Sequence, residues 1–466
     1  MNFLEYTEKM ISETKIKFVN HASVLISYND IGILSDPWYE GSVFHYGWRL
    51  IQETKLNEVL DVLNHTTHIF ISHEHPDHFN PGFLLNKKIK EKINSKNIKI
   101  LFQKTHDKRV LKFLVDSGFK VIECASGKKI KLTDQVEIRI VKHDFYDSSI
   151  SINTPDVNII NLNDCPIHDS KKIENFKKKY GTFDLLLTQF SYAAWKGGIN
   201  NKKLRQLAAN EKLVSMEKQA KILECKKIIP FASFIYFSNE LNFYMNDSIN
   251  TPEKIIKYLN DKNFEPVIMR PNEEQLAKKI KQNFESINFW TQKYKDIETK
   301  NCEIDKYRNQ VEEKDLIAAY KNYKNRVFLK NSKIIIFLLT KIKFLKIFQK
   351  ININFIDKKQ NYEYSIFSGL KKTNDKNADV SMHSQSLLFL FNNEFGFDTL
   401  TVNGCFESSS AGFSKVSKCL AIGSLNAMGL SLNIKILLKP YIIILFLQKL
   451  RNFLGKMKKA HRENLI

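Results

Sequence analysis

No pair of cysteines in this chain is spaced Cys-x-x-Cys. The six present, Cys124, Cys165, Cys225, Cys302, Cys405 and Cys419, are scattered through 466 residues. That distribution fits reduced thiols in a cytoplasmic protein better than a disulfide framework. No uninterrupted apolar run reaches the roughly 18 residues that a membrane span requires. The opening Met-Asn-Phe-Leu-Glu-Tyr-Thr-Glu has neither the basic start nor the apolar centre of a signal peptide. The expected location is therefore cytoplasmic. Acidic residues are also in deficit: 50 Asp and Glu face 72 Lys and Arg, leaving a formal net charge of +22. An excess carried mostly by lysine attracts anionic substrates or an anionic membrane surface. No helix or aromatic–basic module resembles a nucleic-acid reader, so nucleic acid is not an expected partner.

What is present argues for a folded protein. Apolar residues make up 43% of the chain and aromatics 12%, which excludes a disordered polypeptide. The length exceeds one ordinary core. The composition turns more basic beyond about Asn301, so the expected division is 1–300 and 301–466.

The most informative stretch is Ser72-His-Glu-His-Pro-Asp-His-Phe79, directly after the apolar run Ile69-Phe70-Ile71. The run reads as a buried strand, and Pro76 prevents its continuation as one regular element. A strand end followed by a tight turn can aim His73, His75, Asp77 and His78 at a common point. Imidazoles with a carboxylate suit zinc or iron, whereas Mg²⁺ and Ca²⁺ prefer oxygen throughout. The zincin pattern His-Glu-x-x-His is absent, because Asp77 stands four residues after His73.

In that order the motif resembles the signature of the metallo-β-lactamase superfamily. The resemblance implies an α+β fold, a four-layer αβ/βα sandwich of two mixed sheets, here with a C-terminal α/β extension. It implies that His73 and His75 bind one metal ion while Asp77 and His78 bind a second. It further implies a third histidine at a later strand end, matched by His143, and an acidic residue bridging the ions, matched by Asp164. Most members also place a final histidine where this chain reads Pro230-Phe231-Ala232-Ser233. The second ion is then left with Asp77, His78 and Asp164, and water, Asn239 or Glu240 would fill in. One or two divalent ions, zinc or iron, are the expected cofactors.

Within that superfamily, His21-Ala-Ser-Val-Leu-Ile, the Asp36-Pro37-Trp38 turn and Gly47-Trp48 resemble the corresponding part of CMP-N-acetylneuraminate hydroxylase and its bacterial relatives. So does Phe183–Phe190 with the Ser191-Tyr192 segment that follows. Asp36 is placed to orient a ligand histidine from behind. Trp48, Arg49 and Tyr192 are the expected substrate-binding residues.

Beyond residue 301, Lys333–Phe355 alternates apolar clusters with lysines 341, 343, 346 and 350. As a helix it would carry a basic amphipathic face suited to peripheral membrane contact. Ser384–Phe406 reads as a helix and then a strand ending at Asn403-Gly404. The apolar tail around Tyr441–Leu447 can dock on the protein or lie on a bilayer.

Two reactions fit these features. In the first, a hydrolase acts on a small anionic substrate, a nucleotide sugar or another phosphorylated compound, through a metal-bound hydroxide, with Asp77 or Asp164 orienting water and taking its proton. In the second, the same ligands hold iron and hydroxylate an amino-sugar nucleotide. The hydroxylase family draws electrons from a Rieske centre built on Cys-x-His and Cys-x-x-His. No Cys-x-His occurs here and Cys165-Pro-Ile-His168 stands alone, so that reaction needs a separate electron donor.

Overall fold

The computed structural model describes residues 12–144 and 146–438. The apolar tail around Tyr441–Leu447 lies outside the described residues. Two seven-stranded mixed sheets form the larger part of the fold. Across the first, the strands are Glu274–Leu276, Lys15–Asn20, Ser23–Tyr28, Ile31–Ser35, His68–Ile71, Lys99–Gln103 and Lys120–Cys124, and the last four run parallel. Parallel strands covered on both faces need continuous apolar sequence, which Ile69-Phe70-Ile71 supplies. Across the second, the order is Glu265–Pro266, Lys227–Phe231, Leu185–Gln189, Asn158–Asn163, Asp147–Asn153, Glu137–His143 and Lys129–Lys131.

Side-chain alternation along the strands sorts the residues into layers. Ile16, Phe18, Ile26 and Phe70 of the first sheet share one core with Ile138, Ile140, Ile150 and Ile159 of the second. The outer face of the first sheet, with Leu25, Ile69, Ile71 and Ile100, packs on Val59, Val62, Ile89 and Leu114 of the helices Leu56–Asn64, Lys87–Ser95 and Arg109–Asp116. Ile173, Phe176, Leu213 and Met216, from the helices Ser170–Tyr180 and Lys202–Leu223, cover the second. The result is the helix–sheet–sheet–helix sandwich. Each fully buried large apolar side chain contributes about 1.5–3 kcal/mol, so the inter-sheet core is the main source of stability.

From Val311 onward a separate apolar cluster forms around a five-stranded sheet. Its strands are Gly369–Thr373, Gln360–Ser365, Ile351–Phe355, Val380–Met382 and Phe406–Glu407. The helices Glu313–Lys330, Ser384–Asn392 and Ser410–Leu420 pack on it. Two sequence expectations fail here. Lys333–Phe355 is not one helix: the helix covers Lys333–Lys341, and Ile351–Phe355 is a strand. The period-2 alternation Ile351-Asn-Ile-Asn-Phe355 decides this, because it sends Ile351, Ile353 and Phe355 into the core. Gly396–Asn403 is a helix instead of a strand, burying Phe397 and Leu400 one turn apart and ending at Gly404 in the left-handed region, φ +65°. Among the described residues no helix is long and apolar enough to cross a membrane.

The two parts are tightly joined. Arg49 forks onto Asp305 at 2.9 and 3.0 Å, Asn242 donates to the Asn403 carbonyl at 2.5 Å, and the Trp195 amide donates to the Thr401 carbonyl at 2.8 Å.

Candidate metal centre

Four chain segments converge at one rim of the sandwich. Ser72–His78 follows the strand His68–Ile71, Asp36 follows Ile31–Ser35, Asp164 follows Asn158–Asn163, and Asp147 opens the strand after a hairpin turn. Carboxyl ends of parallel strands are where loops can gather functional groups. Within the first segment, the amides of His78 and Phe79 both donate to the His75 carbonyl, at 3.0 and 2.7 Å. That single turn folds His73, His75, Asp77 and His78 around a small volume. Asn80 then caps the helix Pro81–Leu85 by accepting from the Phe83 amide at 2.9 Å, and Pro81 occupies its first turn.

Asp36 fixes the arrangement from behind. Its buried carboxylate accepts from the Ser72 amide (2.7 Å), the Ser72 hydroxyl (2.8 Å), the Asn163 amide group (2.5 Å) and His78 Nδ1 (3.0 Å). His78 therefore turns Nε2 toward Asp77 Oδ2, 3.3 Å, and Asp164 Oδ2, 3.7 Å. Ser72 Oγ bonds His73 Nδ1 at 2.9 Å, which leaves His73 Nε2 facing Asp164 (3.7 Å), Asp147 (3.8 Å) and His75 Nδ1 (2.9 Å). Two donor groups result: His73, His78 and Asp164, and His21, Asp77 and His78, each with ligand atoms within 4.8 Å of one another. Asp77 Oδ1, Asp164 Oδ1 and His21 Nδ1 are buried with no hydrogen-bond partner. Buried polar atoms left over in this way are costly unless a further group meets them. A divalent cation fits that requirement, and imidazole with carboxylate is a donor set for zinc, iron or manganese.

His73, His75, Asp77, His78 and Asp164 are brought together, and Asp36 lies behind them. His143 is not. It shares a strand face with Arg139 and Val141, the face covered by the helix Ser170–Tyr180. There its Nε2 bonds Ser149 Oγ at 2.8 Å and its ring lies 5.7 Å from Phe176. Asp147, on the return strand of the same hairpin, approaches His73 instead. Nor do Asn239 and Glu240 reach the second donor group: Asn239 bonds the Tyr46 carbonyl, and Glu240 pairs with Lys306.

His21 takes that place, with Nε2 3.4 Å from Asp77 Oδ2. The Ala232 amide donates to the His21 carbonyl at 2.7 Å, so the turn after the first strand abuts the strand end where a final histidine was expected. Cys165 is buried in the apolar core around the second sheet. Arg49 is held by Asp305 and Glu303 and is not free for substrate. Trp48 and Tyr192 line a narrow cleft with His21 and Gln189, although the Tyr192 hydroxyl is bonded to the Met245 carbonyl.

Electrostatics at the rim is dominated by burial. It pushes His73, His75 and His21 below the usual imidazole range, which keeps lone pairs available for ligation. Burial acts the same way on His78, but Asp77, Asp164 and Asp36 outweigh it and raise its pKa well above normal. For Asp77 and Asp164 burial is likewise outweighed, by the surrounding histidines, and both carboxyls stay low. Asp147 is pushed up to about 7 by burial and by Asp164. Solvent reaches the centre past Asp147 and Asp164, whose side chains are 17% and 19% exposed, while His73 is sealed. The C-terminal part forms one wall: Phe395 lies 6.1 Å from the Tyr146 ring and 4.4 Å from the Arg109 guanidinium.

No family model matches the chain. A segment of 70 residues is 37% identical to cytidine monophosphate-N-acetylneuraminic acid hydroxylase of Asterias rubens, covering 15% of this chain and 11% of that protein. Among solved structures, Igni18, a metallo hydrolase of Ignicoccus hospitalis, is 15% identical with a TM-score of 0.40, covering 56% of this chain and 97% of that one. CmlA, a diiron β-hydroxylase of Streptomyces venezuelae, is 13% identical with a TM-score of 0.41, covering 57% and 54%. Two mixed sheets packed face to face, helices on both outer surfaces, and a His-x-His-x-Asp-His turn at a strand end on the rim make this the metallo-β-lactamase fold.

Proposed function

We propose that the protein is a metal-dependent hydrolase acting on a small anionic substrate that carries a phosphate, such as a nucleotide sugar. The observation that supports this most is the pair of donor groups sharing His78, with carboxylate oxygens of Asp77 and Asp164 buried and unpaired. His73, His75, Asp147 and Asp164 would hold one ion, and His21, Asp77, His78 and Asp164 a second. A divalent ion so bound supplies Lewis acidity and makes water acidic enough to ionise near neutral pH.

The chain's own residues supply the rest. Asp36 and Ser72 hold the Nδ1 edges of His78 and His73, so that both rings turn Nε2 toward the donor groups. His73 presents a lone pair there, and His78 would do so on giving up its Nε2 proton to make room for an ion. Asp164, at the solvent-facing side, orients the attacking water and takes its proton on a carboxylate oxygen. Trp48 and Tyr192 wall the approach and exclude bulk water from it.

A second reading is iron-dependent hydroxylation of an amino-sugar nucleotide with a separate electron donor. The third carboxylate favours it: with Asp147 in the position expected for His143, the site is richer in hard oxygen donors, which suit iron. Elemental analysis of protein purified without added metal or a histidine tag separates the two. Zinc with phosphodiesterase or esterase activity supports hydrolysis. Iron with reductant-dependent oxygen uptake supports hydroxylation. A chain that retains neither metal overturns both.

A further inference from the structure

The narrow cleft beside His21 adjoins a second cavity. Tyr192 and Gln189 line the cleft, and Tyr192 also lines that cavity, which has a volume of about 510 Å³ and lies on the helix Lys202–Leu223. Gln189 Oε1 accepts a hydrogen bond from Lys212, which reaches into that cavity together with Lys196. Lys218 and His168 stand at its edge, and Glu211 is its single carboxylate.

The charge in this cavity is predominantly cationic, with Lys196, Lys212 and Lys218 against Glu211 alone. Among the described residues Lys196 has no ion pair, and the partner of Lys212 is a neutral amide. The cavity of similar volume between the two parts of the chain is different. Its Arg109 is paired with Glu74, Asp107 and Glu394, and its Lys330 with Glu394. Half-burying two ammonium groups near each other is unfavourable, and the pull of Glu211 on both does not outweigh burial. Burial pulls Lys212 down to about 8, and Lys196 adds to that against the pull of Asp164. Burial lowers Lys196 as well. An anion entering between them would relieve both costs.

We propose that this cavity binds an anionic, phosphate-type arm of the substrate, with Lys196 and Lys212 as its cationic contacts and Tyr192 as the wall between arm and reacting bond. The inference rests on the hydrolase reading for its connection to catalysis, but not for the binding itself.

The test uses the full chain, stripped of metal with a chelator so that inorganic phosphate cannot bind metal ions directly. Phosphate binding is measured by titration calorimetry for the wild type and for Lys196→Met, Lys212→Met and Lys212→Arg. The expected result is saturable binding by the wild type, weakened about tenfold or more in each Met variant (about 1.4 kcal/mol per tenfold), and largely kept by Lys212→Arg. Equal metal uptake by all four proteins shows that the variants are folded. No phosphate binding by stripped wild type, or unchanged affinity in both Met variants, overturns the proposal. A wild type that binds phosphate yet takes up no metal would refute the hydrolase reading and leave the anion site standing.

Discussion

Replacing Asp36 by Asn tests how the centre is oriented without removing any proposed ligand. One oxygen of Asp36 accepts from the Ser72 amide, and the other from Ser72 Oγ, Asn163 and His78. Asparagine keeps the first acceptor and turns the second into a donor. Ser72 Oγ can rotate to accept, but the Asn163 amide then faces another amide donor. His78 can meet the new N–H only by becoming an acceptor at Nδ1, which moves its proton to Nε2. That is the nitrogen that faces Asp77 and Asp164, and a protonated Nε2 cannot ligate. Loss of a hydrogen bond to a charged acceptor costs about 1.5–3 kcal/mol, and an unmet buried donor about 1–3 kcal/mol. Removing an orienting partner behind a ligand typically weakens metal affinity about 10–100-fold. We therefore expect Asp36→Asn to fold with an unfolding free energy lowered by about 2–3 kcal/mol, and to bind metal at least about tenfold more weakly in competition with a chromophoric chelator. Nitrogen-15 NMR of the histidine rings should show His78 of the variant protonated at Nε2 and not at Nδ1. A folded variant whose metal affinity stays within about threefold of wild type would refute the orientation argument.

Three further outcomes are expected. His143→Ala should retain wild-type metal content by elemental analysis, whereas His21→Ala and Asp147→Ala should each lose metal. Equal losses in all three would restore His143 as a ligand. His45 stacks on Phe389 at 4.3 Å and is lowered from 6.5 to about 4, chiefly by burial. A depressed histidine lends stability above its unfolded pKa and loses it as pH falls from about 6.5 toward 4, by at most about 3 kcal/mol. In His45→Phe the fall in urea midpoint between pH 7 and 4.5 should be smaller than in wild type, and an identical fall would refute the assignment. The helix Lys333–Lys341 exposes Ile334, Phe337 and Leu338 on one face beside Lys341. The chain should sediment with phosphatidylserine vesicles at low salt and Phe337→Ser about tenfold less, and a wild type that stays in solution would refute lipid contact.

Much of the sandwich was legible because its signals are local. The apolar run at Ile69–Ile71 and the turn at Pro76 each declare themselves within a few residues. The C-terminal misreadings share one cause, which is that short apolar clusters suit a helix or a strand. In Ile351–Phe355 the strict alternation should have decided for a strand. In Gly396–Asn403, where Phe397 and Leu400 stand one turn apart, the terminal Asn-Gly signalled a helix end, not a hairpin.

The site divides along the same line. His73, His75, Asp77 and His78 occupy one turn, so their convergence follows from the backbone between them. Asp36 ends the strand Ile31–Ser35, and its placement follows once that strand pairs in parallel with His68–Ile71. Asp164 ends a strand of the second sheet, so its placement depends on how the two sheets pack. His143 also ends a strand, yet a strand end names a neighbourhood and not a direction. Its face is set by register against Asp147–Asn153, where one residue of slip exchanges the two sides. His21 was visible beside Ala22 and Ser23 but carried no local sign of ligation. Its role depends on the His21 carbonyl meeting the Ala232 amide, a contact between the two sheets. With Pro230–Ser233 offering no imidazole, the nearest backbone able to supply one is the turn that Ala232 touches. A histidine donor absent from one strand end is thus found on the loop packed against it. That rule predicts that a His21→Ala, Ala232→His double variant recovers metal lost by His21→Ala alone.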